Sequence, residues 1–431
     1  MYPNLYYFLK DIFGVEWEWA RIINSFGLFV ALAFIAAAYT LFLEFKRKEK
    51  QGFLVFTEEE IEVGKTVSPA ELIINFALGF VFGFKILGAL TAGEALKDPQ
   101  SYIFSSQGSL LWGIIVGGIM AGIKWWEKNK QKTVKPEKRK LRIWPHDRVG
   151  DITIVAALFG FLGAKIFHNL ENWDEFVRDP WGSLFSFSGL TFYGGLIVAA
   201  IGVSRYCMKR GIGFRYLIDA AAPGLMLAYA IGRIGCQVAG DGDWGIINSA
   251  YVADSSAKIK LAKPGEANQV IDFNKAYYER EFGDLTKVPM KSYKAPSFLP
   301  VWMVAYTYPH NVNSQGLRLA NCEEQEHCSY LPLPVFPTPF YETVVCFIFF
   351  IIIWLTRKRI KIPGVLFAFY LILNGLERFL IEKIRVNTKY HSLPFEPTQA
   401  ELISTGLIIA GVIMWSLYTI QKPSPPKTAT M

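Results

Sequence analysis

Nine apolar stretches dominate this chain, each about long enough to cross a lipid bilayer as a helix. Crossing about 30 Å of hydrocarbon takes about 20 apolar residues, and only helices or closed barrels satisfy their backbone polar groups there. The predicted spans are residues 22–44, 70–93, 109–126, 150–171, 188–207, 217–239, 339–356, 364–384 and 402–420. The sequence therefore predicts an all-α polytopic membrane protein. Its mean hydropathy is only +0.25 because the polar residues 241–337 dilute the average.

Lysine and arginine residues predict how these spans are oriented. They are concentrated in four connecting segments, residues 45–50, 124–148, 205–216 and 357–361. Basic residues accumulate in cytoplasmic loops, so these four segments are assigned to the cytoplasm. We therefore expect the N-terminus and the loop 241–337 outside and the C-terminus inside. The net charge of +8 follows from this bias and does not indicate nucleic-acid binding.

Part of the chain is predicted to be a tandem duplication of a two-helix unit. Lys85 matches Lys165 at an offset of 80 residues. At an offset of 81 residues there are three further matches: Asp98-Pro99 with Asp179-Pro180, Phe104 with Phe185, and Trp112-Gly113 with Tyr193-Gly194. A duplicated unit of two spans keeps its orientation. We predict five segments: 1–68 with the first span, 69–148 with the extra hairpin and a basic loop, 149–240 with the core helices, 241–337 as an outer loop domain, and 338–431 with the last spans and a cytoplasmic tail.

Two cysteines in the outer loop are predicted to form a disulfide. Cys322 and Cys328 are six residues apart in a segment assigned to the oxidising side of the membrane. A zinc site formed with His310 and His327 is the weaker alternative, because paired CxxC spacing is missing.

Polar residues within the spans converge on one side of the membrane. All fall toward the outer ends of their predicted helices: Lys165, His168, Tyr193, Arg233, Glu342, Glu377, Arg378, Glu382 and Arg385. Charges at membrane depth are costly and indicate function. Structural interpretations exist for some of them, since Glu342 could complement a helix dipole, Arg378 and Glu382 could form an i,i+4 pair, and Arg385 could snorkel.

The segment IGRIGCQVAGDGDWG, residues 231–245, places an arginine near the end of the sixth span and then breaks the helix with three glycines and two aspartates in GDGDWG. Arg233 stands among apolar residues, with no acidic partner before the loop at Asp241. Free backbone N–H groups in such a turn, together with an arginine, can bind a phosphate oxygen. The abundant phosphate of an outer leaflet is a phospholipid headgroup, so we expect a lipid-phosphate site.

Four motifs resemble those of the bacterial prolipoprotein diacylglyceryl transferases. The family patterns GRxGNFxNGExxG, HGGLIG, HPTQLYE and FRxxxExxR are similar to GRIGCQVAGDGDWG, YGGLIV (193–198), FPTPFYE (336–342) and ERFLIEKIR (377–385) in this chain. Their order and sidedness agree. The resemblance covers residues 150–420 well, apart from most of 246–330, and residues 20–50 weakly.

This resemblance implies a cofactor-free and metal-free enzyme of the bacterial inner membrane, with its active site toward the outer leaflet. Its substrates would be phosphatidylglycerol and the lipobox cysteine thiol in the signal peptide of a preprolipoprotein, with glycerol phosphate released. The implied catalytic residues are Arg233, Arg378, Asp241, Tyr193 and Glu342. The implied lipid-binding residues also include Gly194, Gly195, Gly235, Gly240, Gly245, Tyr341, Glu382 and Arg385.

The chain departs from the family pattern where a general base would be sought. Tyr193 and Phe336 replace motif histidines, Cys236 replaces an asparagine, and Phe26 replaces a tyrosine. The base therefore stays open among Tyr193, His310 and a water beside Asp241 or Glu342. A non-catalytic lipid-binding paralogue is the alternative function. A transporter is disfavoured because the charges lie at the outer end of the helices and not at the bilayer midplane.

The predicted orientation can be tested with single cysteine labels. We expect labels at Lys132 and Ser424 to react only with a reagent applied from the cytoplasm, and a label at Ser314 only from outside. Reaction of the Ser314 label from the cytoplasmic side would contradict the nine-span topology.

Overall fold

A computed structural model gives the fold for residues 1–91, 102, 105–132, 137–185, 191–320, 322, 326–387, 390 and 395–421. The chain divides into two compact units. The first unit contains Met1–Glu16, Ile23–Glu44 and the described part of Ile218–Pro425. The second unit contains Trp17–Ile22 and the described part of Phe45–Leu217.

Helices form most of the structure. They are α1 (Leu5–Phe13), α2 (Ser25–Lys50), α3 (Pro69–Phe82), α4 (Gly88–Thr91), α5 (Leu110–Lys130), α6 (Val149–Glu171), α7 (Trp173–Arg178), α8 (Pro180–Phe185), α9 (Phe192–Lys209), α10 (Phe214–Ala239), α11 (Glu266–Phe273), α12 (Lys275–Phe282), α13 (Thr338–Thr356), α14 (Val365–Glu382) and α15 (Gln399–Ile420). A π-helical turn, Gly83–Leu87, joins α3 to α4.

Seven helical segments of the described residues are long and apolar enough to cross a membrane. They are Ser25–Lys50, Pro69–Thr91, Leu110–Lys130, Pro145–Glu171, Phe214–Ala239, Thr338–Thr356 and Gln399–Ile420. The predicted polytopic helical architecture is thereby confirmed. The other two predicted spans correspond to the 18-residue helices α9 and α14. Residues 92–93 and 188–190 of the predicted spans lie outside the described residues.

Helix starts follow local sequence signals. α3 begins after Ser68, whose side chain accepts from the Glu71 backbone N–H while the Glu71 side chain accepts from the Ser68 N–H. Thr398 and Glu401 make the same reciprocal pair before α15. This capping box satisfies donors that a helix leaves open at its N-terminus.

The second unit contains two similar helical hairpins, α3–α5 and α6–α9. In each, the residue that precedes the return helix donates its backbone N–H to the carbonyl before the repeat lysine: Ser109 to Phe84 at 3.0 Å, and Thr191 to Ala164 at 3.1 Å. By this geometry Ser109 corresponds to Thr191, and Trp112 therefore corresponds to Gly194. The sequence match had instead paired Trp112 with Tyr193. Asp98-Pro99 and Phe104, which also carried that match, lie outside the described residues.

A two-stranded antiparallel ribbon in the second unit was not predicted. Strand β1 (Thr57–Val63) pairs with β2 (Glu137–Ile143). Three glutamates of β1 lie opposite basic residues of β2, in the pairs Glu58 with Arg142, Glu60 with Lys140 and Glu62 with Lys138. Opposite charges across a strand pair favour the observed register.

The residues between α10 and α13 form a loop domain in the first unit. Its strands are β3 (Ile247–Asn248) parallel to β6 (Met290–Lys291), β4 (Tyr251–Ala253) antiparallel to β5 (Ile259–Leu261), and β7 (Leu317–Arg318) antiparallel to β8 (Ser329–Tyr330). Its core contains Val252, Ile271, Tyr278, Tyr308 and Leu333. The sulfur atoms of Cys322 and Cys328 are bonded, with their Cα atoms 5.7 Å apart.

Two buried carboxylates hold helix ends together in the first unit. Asp219 on α10 accepts from the backbone N–H groups of Gly364 at 2.8 Å and Phe367 at 2.9 Å, and so caps α14. Glu44 on α2 accepts from Nε of Arg357 at 2.7 Å, just beyond α13. These contacts fix the relative positions of helices that carry the candidate site.

Candidate active site

A fully buried glutamate lies at the centre of the site. Glu342, the fifth residue of α13, has no solvent exposure. Its carboxylate is ion-paired with Nε of Arg233, with Nη1 of Arg385 at 3.1 Å and with Nη1 of Arg378 at 3.9 Å. The Tyr229 hydroxyl donates a further hydrogen bond at 3.0 Å. Complementing a helix dipole is therefore a minor part of what Glu342 does.

Asp243 links two of these arginines. One of its carboxylate oxygens pairs with Arg233 Nη1, and the other pairs with Arg385 Nη2. Burial raises the pKa of Asp243, but the two arginines outweigh burial, and its pKa lies below the ordinary value. The ion pairs of Asp243 therefore contribute fully to folding stability above the ordinary pKa of an aspartate. This contribution is lost as the pH falls through the lowered pKa of Asp243.

Arg385 differs from its sequence-based interpretation as an interfacial, snorkelling residue. Its side chain is only 9% exposed and is held by Asp243 and Glu342. Because Arg385 follows the end of α14, the turn after the helix directs its guanidinium back to the cluster. The acidic partners of Arg233 are Asp243, in the loop after α10, and Glu342 on α13, so neither is a helical neighbour of Arg233 in the sequence.

The backbone N–H groups after α10 are less available to bind a phosphate than the sequence predicted. The N–H groups of Gly240 and Asp241 both donate to the Cys236 carbonyl, at 3.0 Å and 3.1 Å. The N–H of Gly245 donates to the Phe336 carbonyl at 2.8 Å. The predicted row of free N–H groups for a phosphate is therefore wrong for these residues.

Backbone conformation and close packing explain why two of the glycines proposed to contact lipid are glycines. Gly240 has a φ of +69°, a conformation that few side chains adopt. A Cβ at Gly245 would lie 2.6 Å from the Ile384 carbonyl oxygen and 2.9 Å from that of Phe336. Gly245 therefore lets two other backbone segments approach closely.

Asp241, the residue aligned with the family glutamate, makes none of the ion pairs that the structure shows for Asp243. Burial, followed by the charge of Asp243, raises the pKa of Asp241, while Asn313 and Arg233 oppose the shift. The chain has one residue more between Asp241 and Gly245 than the family pattern, so spacing could not identify Asp243 as the paired residue.

The end of α14 contributes two further acids and one arginine. Glu382 pairs with Arg378 at 3.1 Å, as the i,i+4 spacing predicts, and accepts from Asn387 at 2.5 Å and Thr398 at 2.8 Å. Glu377 is 3% exposed, and neither of its carboxylate oxygens hydrogen-bonds to any described residue. Nη1 of Arg378 is also buried without a hydrogen bond in the described part of the chain.

Four of the other predicted site residues belong to the second unit or to the loop domain. Tyr193, Gly194 and Gly195 are in the second unit, where a Cβ at Gly194 would lie 2.6 Å from the Gly163 carbonyl oxygen. His310 is in the loop domain, where its Nδ1 lies 3.1 Å from the His327 carbonyl oxygen.

Tyr341 and Gly235 belong to the first unit. The Tyr341 hydroxyl donates to the Met303 carbonyl at 2.5 Å. A Cβ at Gly235 would lie 2.9 Å from Phe29 Cβ, so this glycine allows α10 to pack closely on α2.

The arrangement can stabilise an anion. Three guanidinium groups lie together, and three carboxylates, Glu342, Asp243 and Glu382, balance their charge. An incoming phosphate would find an unsatisfied donor at Arg378 Nη1.

The chain was compared with known proteins. A sequence model of the family described as prolipoprotein diacylglyceryl transferase matches residues 112–417, more than half of the chain. A phosphatidylglycerol–prolipoprotein diacylglyceryl transferase of Leptospira interrogans is 24% identical over 324 residues, covering 63% of this chain and 81% of the relative. The protein of the same name from Shouchella clausii is 24% identical over 321 residues, covering 74% and 86%. That of Dehalococcoides mccartyi is 31% identical over 150 residues, covering 34% and 54%.

Two neighbouring aspartates provide a matched pair of variants. We expect Asp243→Asn to lower thermal stability, because it removes a partly exposed carboxylate that pairs with two mostly buried arginines, and a hydrogen bond to a charged group contributes roughly 1.5–3 kcal/mol. Asp241→Asn should have a much smaller effect. Thermal unfolding of both purified variants measures the difference, and equal losses would contradict the assignment of Asp243 as the paired residue.

Proposed function

This chain belongs to the prolipoprotein diacylglyceryl transferase family, and we propose that it transfers a diacylglyceryl group from phosphatidylglycerol to a prolipoprotein. Such an enzyme is a membrane transferase of lipoprotein biosynthesis. We propose further that the acceptor is the thiol of a lipobox cysteine in a signal peptide, that glycerol phosphate is released, and that the site faces the outer leaflet of a bacterial inner membrane. The ion cluster around Glu342, built on elements within the family match, supports this most directly.

The reaction exchanges one bond at the glyceryl carbon that carries the phosphate. The thiol sulfur attacks that carbon, a C–S bond forms, and the C–O bond to phosphate breaks. The electron pair leaves on an oxygen of glycerol phosphate, and the thiol proton passes to a base. Negative charge thus builds on the departing phosphate, and pre-positioned cations accelerate such a step.

The arginines are proposed to have unequal roles in that stabilisation. Arg378 is the direct phosphate ligand, because its Nη1 is buried without a hydrogen bond within the described residues. Arg233 and Arg385 each pair closely with both Asp243 and Glu342, whereas the Nη1 of Arg378 is 3.9 Å from Glu342 and only its Nη2 pairs closely, with Glu382. A phosphate therefore meets less competition at Arg378 Nη1 than at the other two arginines. They keep the cluster in place and contribute a longer-range positive potential.

Glu377 is proposed as the proton acceptor. Tyr193, His310 and water beside Asp241 or Glu342 were the candidates from sequence. Glu342 is engaged by three arginines, whereas both oxygens of Glu377 lack a hydrogen bond among the described residues. An oxygen without a hydrogen bond offers a lone pair to a proton, and a general base needs that access.

Complementation tests the proposed function. The gene is expressed in a bacterium depleted of its own transferase, and lipidation of a reporter lipoprotein is measured by its mass. We expect the reporter to gain a diacylglyceryl group with the unmodified chain. A stably expressed chain that leaves the reporter unmodified would contradict the function and favour the non-catalytic paralogue.

Replacement of Arg378 tests the phosphate ligand. A charge-assisted hydrogen bond contributes roughly 1.5–3 kcal/mol, and each 1.36 kcal/mol is about tenfold in rate. We expect Arg378→Ala to lower the transfer rate to a lipobox peptide on the order of a hundredfold, with little rescue by Arg378→Lys, since lysine lacks the planar fork.

Arg357→Ala is the matched control for that variant. Arg357 also pairs with a buried glutamate, Glu44, but has no contact with the proposed site among the described residues. We expect it to lower the amount of folded protein without changing the rate per folded molecule. Unchanged transfer by folded Arg378→Ala protein would refute the assignment.

Two conservative variants separate the candidate bases. Glu377→Gln keeps size and polarity but cannot accept the proton, so we expect a large loss of rate that does not recover at higher pH. Tyr193→Phe should retain near-normal rate. The pH dependence of transfer by both purified variants is the measurement, and the reverse pattern would make the Tyr193 phenol the acceptor.

A further inference from the structure

An uncharged loop of the loop domain is attached to the beginning of α13. Residues 296–302, called the anchor loop here, read PSFLPVW. The ring of Trp302 lies 5.0 Å from that of Phe340, the third residue of α13, in an edge-on arrangement. The next residue of the loop domain, Met303, accepts a hydrogen bond at 2.5 Å from the Tyr341 hydroxyl. These contacts attach the C-terminal end of the anchor loop to the first turn of a membrane helix.

The anchor loop exposes large apolar side chains. Phe298 is 79% exposed, Val301 40% and Trp302 42%. Two tight turns present them, with Leu299 N–H donating to the Pro296 carbonyl at 3.0 Å and Met303 N–H donating to that of Pro300 at 3.1 Å. Proline at the start of each turn restricts the backbone, so the exposure of Phe298 is built into the loop.

Basic residues flank these apolar side chains. Lys291 and Lys294 are exposed just before the anchor loop. Lys294 and Lys260 line a groove of about 400 Å³ together with Leu299 and Val301. Exposed aromatic and aliphatic side chains beside lysines are typical of segments that lie in the headgroup region of a membrane with anionic lipids.

We infer that the anchor loop inserts into the headgroup region of the leaflet in which α13 begins, and so anchors the loop domain to the bilayer surface. The occupant is lipid because α13 is a membrane helix and the anchor loop is packed against its first turn. A protein partner would have to displace headgroups at the same depth. The inference does not rest on the proposed transfer activity.

Nitroxide labelling in bilayers tests this inference. Phe298→Cys is spin-labelled in the full chain, reconstituted in vesicles that contain phosphatidylglycerol, and its accessibility to oxygen and to a water-soluble nickel chelate is measured. Phe347→Cys, at a 48% exposed position of α13, is the reference for lipid. Lys287→Cys, whose native side chain is 80% exposed in the loop domain, is the reference for water. The chain without an added cysteine sets the background, since Cys207, Cys236 and Cys346 are buried.

We expect the Phe298 label to have higher oxygen and lower nickel accessibility than the Lys287 label, at a depth between the two references. Equal accessibility of the Phe298 and Lys287 labels would overturn the inference, and would be the result if the loop awaits a protein partner. Trp302→Ser in the Phe298-labelled chain should shift the label toward water, because it removes the contact with Phe340. An unshifted label would refute the role of that contact.

Discussion

The buried carboxylate of Glu342 is the interaction on which the candidate site depends. A single charge at membrane depth is costly, and three arginines from two other parts of the chain converge on this one. Their convergence joins the ends of α10, α13 and α14. Removing Glu342 would take one carboxylate partner from each of three mostly buried arginines, so this one residue constrains three helices at once.

Near-neutrality of the cluster explains how it can be both stable and reactive. Asp243, Glu342 and Glu382 balance the three arginines before any substrate is present. In the proposed reaction, an anionic phosphate would enter a region where cations are held in position and need little reorganisation, which is the condition under which electrostatic catalysis is most effective. Both oxygens of Glu377, Nη1 of Arg378 and Oε2 of Glu382 are buried without a hydrogen bond among the described residues, and proteins retain such groups mainly where function requires them.

Sequence alone predicted the membrane helices and much of the cluster. Apolar length identifies helices, and Arg233, Glu342, Arg378 and Arg385 could be grouped because all stand at the same ends of their spans. Asp243 could not be chosen over Asp241, because the choice depends on the path of the turn after α10, and the N–H of Gly245 in that turn donates to the distant Phe336 carbonyl. The N–H groups of Gly240 and Asp241, which the sequence left free, both donate to the nearby Cys236 carbonyl. The ribbon of β1 and β2 was missed because its pairing joins segments far apart in the chain.

The base of the loop domain is closed by backbone hydrogen bonds. Gly245 N–H donates to the Phe336 carbonyl at 2.8 Å, and Phe336 N–H donates to that of Ile246 at 3.0 Å. These hydrogen bonds join the segment that enters the loop domain to the segment that leaves it, beside the ion cluster. Joining ends that are already adjacent adds little closure entropy, however long the insert. This position can therefore accept large insertions or deletions over evolution, or a grafted domain by design, while the helices that carry the ion cluster keep their geometry.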